Sequence, residues 1–318
     1  MLLESFKITG SAVSQILLIA ALGYFLMKRN LLGEAGLEAL SRLAIDVALP
    51  ILIFCQLLND FSFTVYPHWW VFPLLSIGIT SLGLAVGALF LGFIGGRQHK
   101  LQFLSLVGFQ NSGYLPLALL AALLPKDKLE TMFIYLFLFL LGFNLVMFSL
   151  GIYMLAFSKA KRFEVRSLFS PPVVATLLSL GLVFLGLNRL VPGFVLKPLR
   201  MVGDATVPLA MLVTGANLAK IRLTCIDKKA MVLMIMAKLV ILPLIGLFLV
   251  LKFKVPELVG LLILLELAVP PAVNSSVIVR AYSQEDLLVS QGIFIGHILS
   301  IFTIPIFLSL YFVLNVVR

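Results

Sequence analysis

Charge is what this sequence has least of. Only 12% of its 318 residues are Asp, Glu, Lys or Arg, while 61% are hydrophobic. A soluble domain runs nearer a quarter charged and half apolar, so the shortage excludes a soluble globular fold and points to an integral membrane protein. No stretch between the apolar runs is long enough for a soluble domain. Cysteine is scarce too. Cys55 and Cys225 have no metal-ligand spacing, and the topology below puts them toward opposite membrane faces, so neither a metal site nor a disulfide is expected. The chain has no Gly-rich phosphate loop, His-Glu-x-x-His motif or nucleotide fingerprint, so no cofactor is expected and coupling to ATP would need another chain. The formal charge of +10 would suggest nucleic acid in a soluble protein. Here the Lys and Arg lie mostly in loops, where they orient membrane spans, and no nucleic-acid partner is expected.

What is present is a series of apolar runs of about 20 residues each, the length that crosses a bilayer. Ten are expected, at about 5–27, 37–58, 69–94, 101–124, 131–157, 171–188, 198–219, 230–251, 257–280 and 287–314. The first lacks a strongly basic start and a small-residue cleavage site, and reads as a retained span rather than a signal peptide. The longest connection, residues 158–170, is basic (Lys159, Lys161, Arg162, Arg166) and divides the chain into 1–157 and 171–318. Loops after the odd-numbered spans, with Lys28, Arg29, Arg97, Lys220, Arg222 and Arg280 among their residues, carry more Lys and Arg than the opposite side. That bias places the central loop in the cytoplasm and both termini outside, in a multi-pass plasma (inner) membrane protein. Trp69 and Trp70 open the third span and fit an interfacial belt.

Sliding the chain by 158 residues superposes Gly23 on Gly181, Asn30 on Asn188, and Asp46-Val-Ala-Leu-Pro50 on Asp204-Ala-Thr-Val-Pro208. Five spans per half is an odd number, so the second half would be inverted. The expected fold is therefore all-α: ten transmembrane helices as two inverted five-helix repeats, with helices 4 and 9 broken and crossing.

Both breaks are legible in the residues. Glu266-Leu-Ala-Val-Pro-Pro-Ala-Val-Asn-Ser-Ser276 is a polar insert within an apolar run, and Pro270 and Pro271 delete two backbone donors. Gly108-Phe-Gln-Asn-Ser-Gly-Tyr-Leu-Pro-Leu117 is its counterpart, where Gly113 and Pro116 interrupt the helix beside Gln110, Asn111, Ser112 and Tyr114. In hydrocarbon a broken helix persists only where protein or a water-filled cavity satisfies the freed groups. If the breaks cross, half-helix amino termini point into one cavity and favour an anion, most simply a carboxylate. Kinks packed against neighbouring helices are the plainer reading. Two breaks in matched spans favour a substrate site built from Gln110, Asn111, Ser112, Gly113, Tyr114, Pro116, Pro270, Pro271, Asn274 and Ser275, with His297 lining it.

Asn111-Ser-Gly-Tyr-Leu-Pro116 and Val269-Pro-Pro-Ala-Val-Asn274 resemble matching segments of the auxin efflux carrier family, the bacterial relatives of the plant PIN proteins. The resemblance spans the whole chain. It implies scaffold helices 1, 2, 6 and 7, often forming a homodimer, and transport helices 3–5 and 8–10. The substrate, for bacterial relatives a small organic acid such as malate or malonate, would sit at the crossing and meet alternate sides as the transport helices move. The more distant bile-acid/sodium symporter fold places a carboxylate and Asn/Ser groups near its crossover as sodium ligands. By that resemblance Glu266, Asn111 and Ser112 could hold a coupling ion.

Glu266 is the most consequential single residue, because a carboxylate in mid-membrane is expensive. It could bind Na+, bind H+, or serve a structural role. Lys238 could offer charge to an anion, pair with a carboxylate or snorkel. His297, with Gln291 on the same span, could line the cavity, shuttle a proton or be a satisfied core histidine. An intramembrane aspartyl protease built on Asp46 and Asp204 is an alternative of another class, although Ile45 and Met201 break its usual motifs. Ser112-Gly113 with His297 faintly suggests a serine–histidine dyad, against which stands Gln110. A channel or sensor on a transporter fold is a third reading. The reading adopted is a non-enzymatic secondary transporter, an efflux carrier of a small organic anion working by alternating access in the lipid bilayer.

Overall fold

In the computed structural model, residues 2–155, 168–282 and 287–316 are described. Most of the 158–170 linker, with its four basic residues, lies outside them. The described chain is all-helical, and its helices follow where apolar runs end. Here α1 is Leu2–Lys28, α2 Glu34–Asp60, α3 Val71–Leu89, α4 Arg97–Gly108, α5 Tyr114–Leu123 and α6 Lys126–Leu155. The second half contributes α7 Pro171–Phe184, α8 Gly193–Ala219, α9 Lys228–Lys252, α10 Glu257–Ala268, α11 Asn274–Tyr282 and α12 Leu287–Val316.

Seven of these, α1, α2, α3, α6, α8, α9 and α12, are long and apolar enough to cross a membrane. The chain is thus a multi-pass membrane protein, but the expected count of ten spans is corrected to seven among the described residues. The reason is length. The runs at 101–124 and 257–280 are divided into α4 (12 residues) and α5 (10), and α10 (12) and α11 (9), while α7 has 14. At 1.5 Å per residue the longest of these reaches only about 21 Å, short of a hydrocarbon core of about 30 Å.

Nor is an inverted pair of five-helix repeats evident, because the positions matched by the 158-residue shift do different work. A Cβ on Gly23 would collide with the Leu212 carbonyl, whereas Gly181 faces open space. Asn30 occupies a left-handed turn (φ 55°), while the Asn188 side chain donates to the Leu58 carbonyl at 3.2 Å. Gly23 lies inside an unbroken α1 and permits a close helix crossing, so the match is of residue type and not of role.

Packing relies on close backbone approach, since lipid tails supply no hydrophobic drive between helices. Gly23 of α1 lies on Leu212, and Gly215 of α8 lies on the carbonyl of Ala20, so the two helices meet through reciprocal glycines. Thr9 of α1 and Ser309 of α12 share a buried hydrogen bond of 2.9 Å. In α6, Ile134 and Leu136 to Phe139 are fully buried, so protein encloses the middle of this helix, while Leu145, Leu150 and Tyr153 toward its end are exposed. Three helices contain wide π-helical stretches, Leu43–Ala48 in α2, Met147–Gly151 in α6 and Met236–Ile241 in α9. The first and third end just before Pro50 and Pro243, whose missing N–H and ring bulk relax the helix ahead of them. Trp70 is exposed and Trp69 half-buried, edge-on to Phe63. Cys55 is buried and Cys225 exposed, both free thiols.

Candidate functional site where the two helix breaks meet

The break between α4 and α5 and the break between α10 and α11 are joined to each other. Gln110 and Pro271 form an isolated antiparallel bridge. The Asn111 N–H donates to the Pro270 carbonyl and the Ala272 N–H to the Phe109 carbonyl, each at 2.9 Å. Proline has no amide to give, so Pro270 takes part only as an acceptor, and the non-proline partners Asn111 and Ala272 supply both donors. Each break thereby satisfies groups that the other frees, which is how an extended backbone survives in an apolar interior. Gly296 of α12 makes this possible from behind: a Cβ there would lie 2.7 Å from the Pro271 ring.

Gln110, Asn111, Ser112, Gly113, Tyr114 and Asn274 line one cavity of about 80 Å3, together with Asn144, Phe143 and Ile45. That is room for several waters at about 10–15 Å3 each, or for a small solute. The first residues of α5 and α11 both face it, as do Ser170 and Pro172 at the start of α7. The starts of α5, α7 and α11 therefore open on one space, and their dipoles favour an anion there; α7 begins with Pro171 and Pro172, which have no N–H, and the Ser275 and Ser276 amides of α11 already donate to the Ala272 and Val273 carbonyls. Ser170, with a buried hydroxyl that has no partner among the described residues, was not singled out by the sequence. The signal was available in Ser-Pro-Pro, a helix-start pattern.

Pro116, Pro270, Pro271, Ser275 and His297, also expected at the site, do not line this cavity. Pro116 is buried in the first turn of α5, and Ser275 is fully buried with an unpartnered hydroxyl. The Asn111 side chain lies 3.1 Å from His297 Nε2, and His297 Nδ1 lies 2.8 Å from the Ile293 carbonyl. A carbonyl can only accept, so Nδ1 carries the hydrogen and Nε2 accepts from the Asn111 amide. His297 is thus a satisfied buried histidine that fixes Asn111, and its far side borders a second, apolar cavity lined by Leu115, Leu119 and Met211. Gln291 is elsewhere: its amide donates to the carbonyls of Arg222 (3.1 Å) and Thr224 (2.6 Å), tying the α8–α9 loop to α12.

Glu266, at the end of α10, is completely buried. Ser112, Lys238 and Gln110 face it. None reaches hydrogen-bond geometry: both carboxylate oxygens, Gln110 Nε2 and Ser112 Oγ have no partner among the described residues. Asn111, expected as an ion ligand beside Glu266, instead directs its side-chain amide to His297. Asp46 and Asp204 are both exposed. Among the described residues no three His, Cys, Asp or Glu side chains converge.

The sequence matches the membrane transport protein family over residues 9–164 and 155–308, nearly the whole chain. The chain belongs to that family. An uncharacterised transporter of Methanocaldococcus jannaschii is 28% identical over 211 residues, covering 64% of this chain and 67% of that one. This membrane transport protein is therefore a transporter and not an enzyme, and the protease alternative on Asp46 and Asp204 falls with that assignment. The expected kinship to auxin efflux carriers agrees with the family match.

Proposed function

We propose that this membrane transport protein is a secondary transporter that carries a small organic anion, such as a carboxylate, by alternating access through the space where the two helix breaks meet. The observation that carries the reading is the convergence of the α5, α7 and α11 amino termini on one largely apolar cavity into which Asn111, Ser112 and Asn274 bring polar groups. Helix-start dipoles and amide side chains recognise a carboxylate without a fixed positive charge that would hold it too tightly to release. Rearrangement of the α4–α5 and α10–α11 units against the glycine-packed α1–α8 pair would turn the cavity from one side of the membrane to the other. A homodimer through the scaffold helices would give that pair a fixed base. Glu266 belongs to the coupling: a buried carboxylate beside an anion site must have its charge met by a cation, whether Na+, H+ or a protein group, as the anion passes.

The test is flux in proteoliposomes with labelled acetate, malonate and malate. Saturable uptake that accelerates with unlabelled substrate inside supports a carrier. Ohmic conductance without saturation would replace this reading with a channel.

A further inference from the structure

The apolar cavity behind His297 has no task in the transport reading. It holds about 60 Å3 between α1, α5, α8 and α12, with Val13, Ile16, Leu119, Met211 and Ile304 among its walls. Three polar side chains border it, and the donors of all three are committed elsewhere. Thr214 donates to the Ala210 carbonyl at 2.8 Å and Ser300 to the His297 carbonyl at 2.7 Å. The two ring nitrogens of His297 are engaged by Asn111 and by the Ile293 carbonyl. A buried water needs roughly two to four polar partners and would find no free donor here, so the cavity suits apolar matter.

Its outer edge lies along the seam of α1 and α12. Ile298, one of its walls, is 42% exposed, and Leu17 and Ile301 are half-buried. Beside them Leu18 and Phe302 are exposed to 72% and 63%, as side chains facing lipid are. Leu17 lies near the middle of the 27-residue α1, and Ile301 near the middle of the 30-residue α12. The seam therefore meets the centre of the bilayer, where hydrocarbon is the solvent.

We propose that this cavity binds the methyl end of a membrane lipid's acyl chain, and that a chain seated there holds the moving helices against the fixed pair. The volume admits a few methylene groups, and the rest of the chain stays in the bilayer outside Ile298. The walls come from both sides of the rearrangement that transport needs. Val13, Ile16 and Met211 belong to α1 and α8, the glycine-packed pair, and Ala20, whose carbonyl abuts Gly215, borders the cavity as well. Leu119 belongs to α5, and His297 of α12 reaches the break through Asn111. A chain touching both sides adds dispersion contacts to this arrangement and not to one in which the walls have parted. A ligand with that difference shifts the equilibrium toward the state it fits. The binding stands by itself; only its effect on flux rests on the transport reading.

The experiment uses the full-length protein in phosphatidylcholine vesicles doped with a phosphatidylcholine whose acyl chain ends in a diazirine. After irradiation, attached chains are mapped by mass spectrometry of peptides. Leu18 and Phe302 report bulk lipid. Leu119 and Met211, each 1% exposed, are reached only by a chain inside the cavity. Labelling at all four is expected in wild type. At Leu119 and Met211 it is expected to fall about tenfold in Ala20→Leu and in Ser300→Leu, which fill the cavity from opposite walls, while Leu18 and Phe302 stay labelled. Labelling of Leu18 and Phe302 alone in wild type would overturn the proposal, whether or not either filled variant folds. Labelling of Leu119 and Met211 by free adamantane diazirine but not by the lipid would assign the cavity to small apolar solutes and overturn it too. Counter-flow of labelled malonate, malate and acetate is then compared before and after irradiation. It is expected to fall in proportion to the fraction of protein carrying a chain at Leu119 or Met211, and undiminished flux at full labelling would overturn the holding role. Absence of flux before irradiation would count against the transport reading alone, with the labelling still deciding whether the chain binds.

Discussion

Asn111 Nδ2 and His297 Nε2 lie 3.1 Å apart, joining the first helix break to the long carboxy-terminal helix. The same residue's backbone amide holds the second break through Pro270. Asn111 thus fixes three segments at once while lining the cavity, and removing its side chain should harm transport more than folding. Asn111→Ala is expected to abolish flux while lowering stability by only about 1–3 kcal/mol, the cost of leaving a buried histidine acceptor unpaired. Asn274→Ala, at the start of α11, should do the same. Flux assays paired with size-exclusion profiles check this, and full flux in both variants would remove the meeting point of the breaks from the mechanism.

Glu266 makes a separate prediction. Glu266→Gln keeps the shape and removes the charge, so the dependence of flux on pH or on the accompanying cation should change. Initial rates across a pH series, with sodium and with choline, read this out. An unchanged profile would leave Glu266 a structural residue.

Gly296 is packed so closely on the proline break that a methyl group has nowhere to go. Gly296→Ala should cost about 1–3 kcal/mol, as overpacking does, and slow transport because the Pro270-Pro271 segment must shift. Gly181→Ala, at a glycine with open space around it, is the control and should stay within about 0.5 kcal/mol of wild type. Equal effects at both positions would contradict the packing described.

Ser170 offers a test of the third helix terminus. Ser170→Ala leaves the α7 backbone in place but removes an unpartnered hydroxyl that borders the cavity. The KM for the transported carboxylate should rise by roughly threefold to tenfold, the loss of about one hydrogen bond, with the maximal rate little altered. An unaltered KM would take α7 out of substrate contact.

Much of the site was readable from the chain because its signals are local. Pro270-Pro271 and Gly113 with Pro116 disrupt helices through their own covalent geometry, and the polar residues beside them have no reason to be in an apolar run unless a cavity receives them. The span count was not readable, because a broken run still has the overall length and hydropathy of a span: residues 101–124 and 257–280 each form two helices, every one too short to cross a bilayer. Relations across the fold were equally hidden. Nothing in the sequence sends Gln291 to the Arg222 and Thr224 carbonyls rather than into the cavity, or Asn111 to His297 rather than to Glu266. Gly23 and Gly181 look equivalent in sequence and differ only in what lies opposite them.

The most direct measurement is counter-flow of labelled malonate, malate and acetate into proteoliposomes holding wild type or Asn111→Ala. Saturable, trans-stimulated flux of at least one carboxylate in wild type, lost in Asn111→Ala with the protein still folded, is the expected result. Flux that neither saturates nor responds to internal substrate, or that persists undiminished in Asn111→Ala, would contradict a carrier site at the paired breaks.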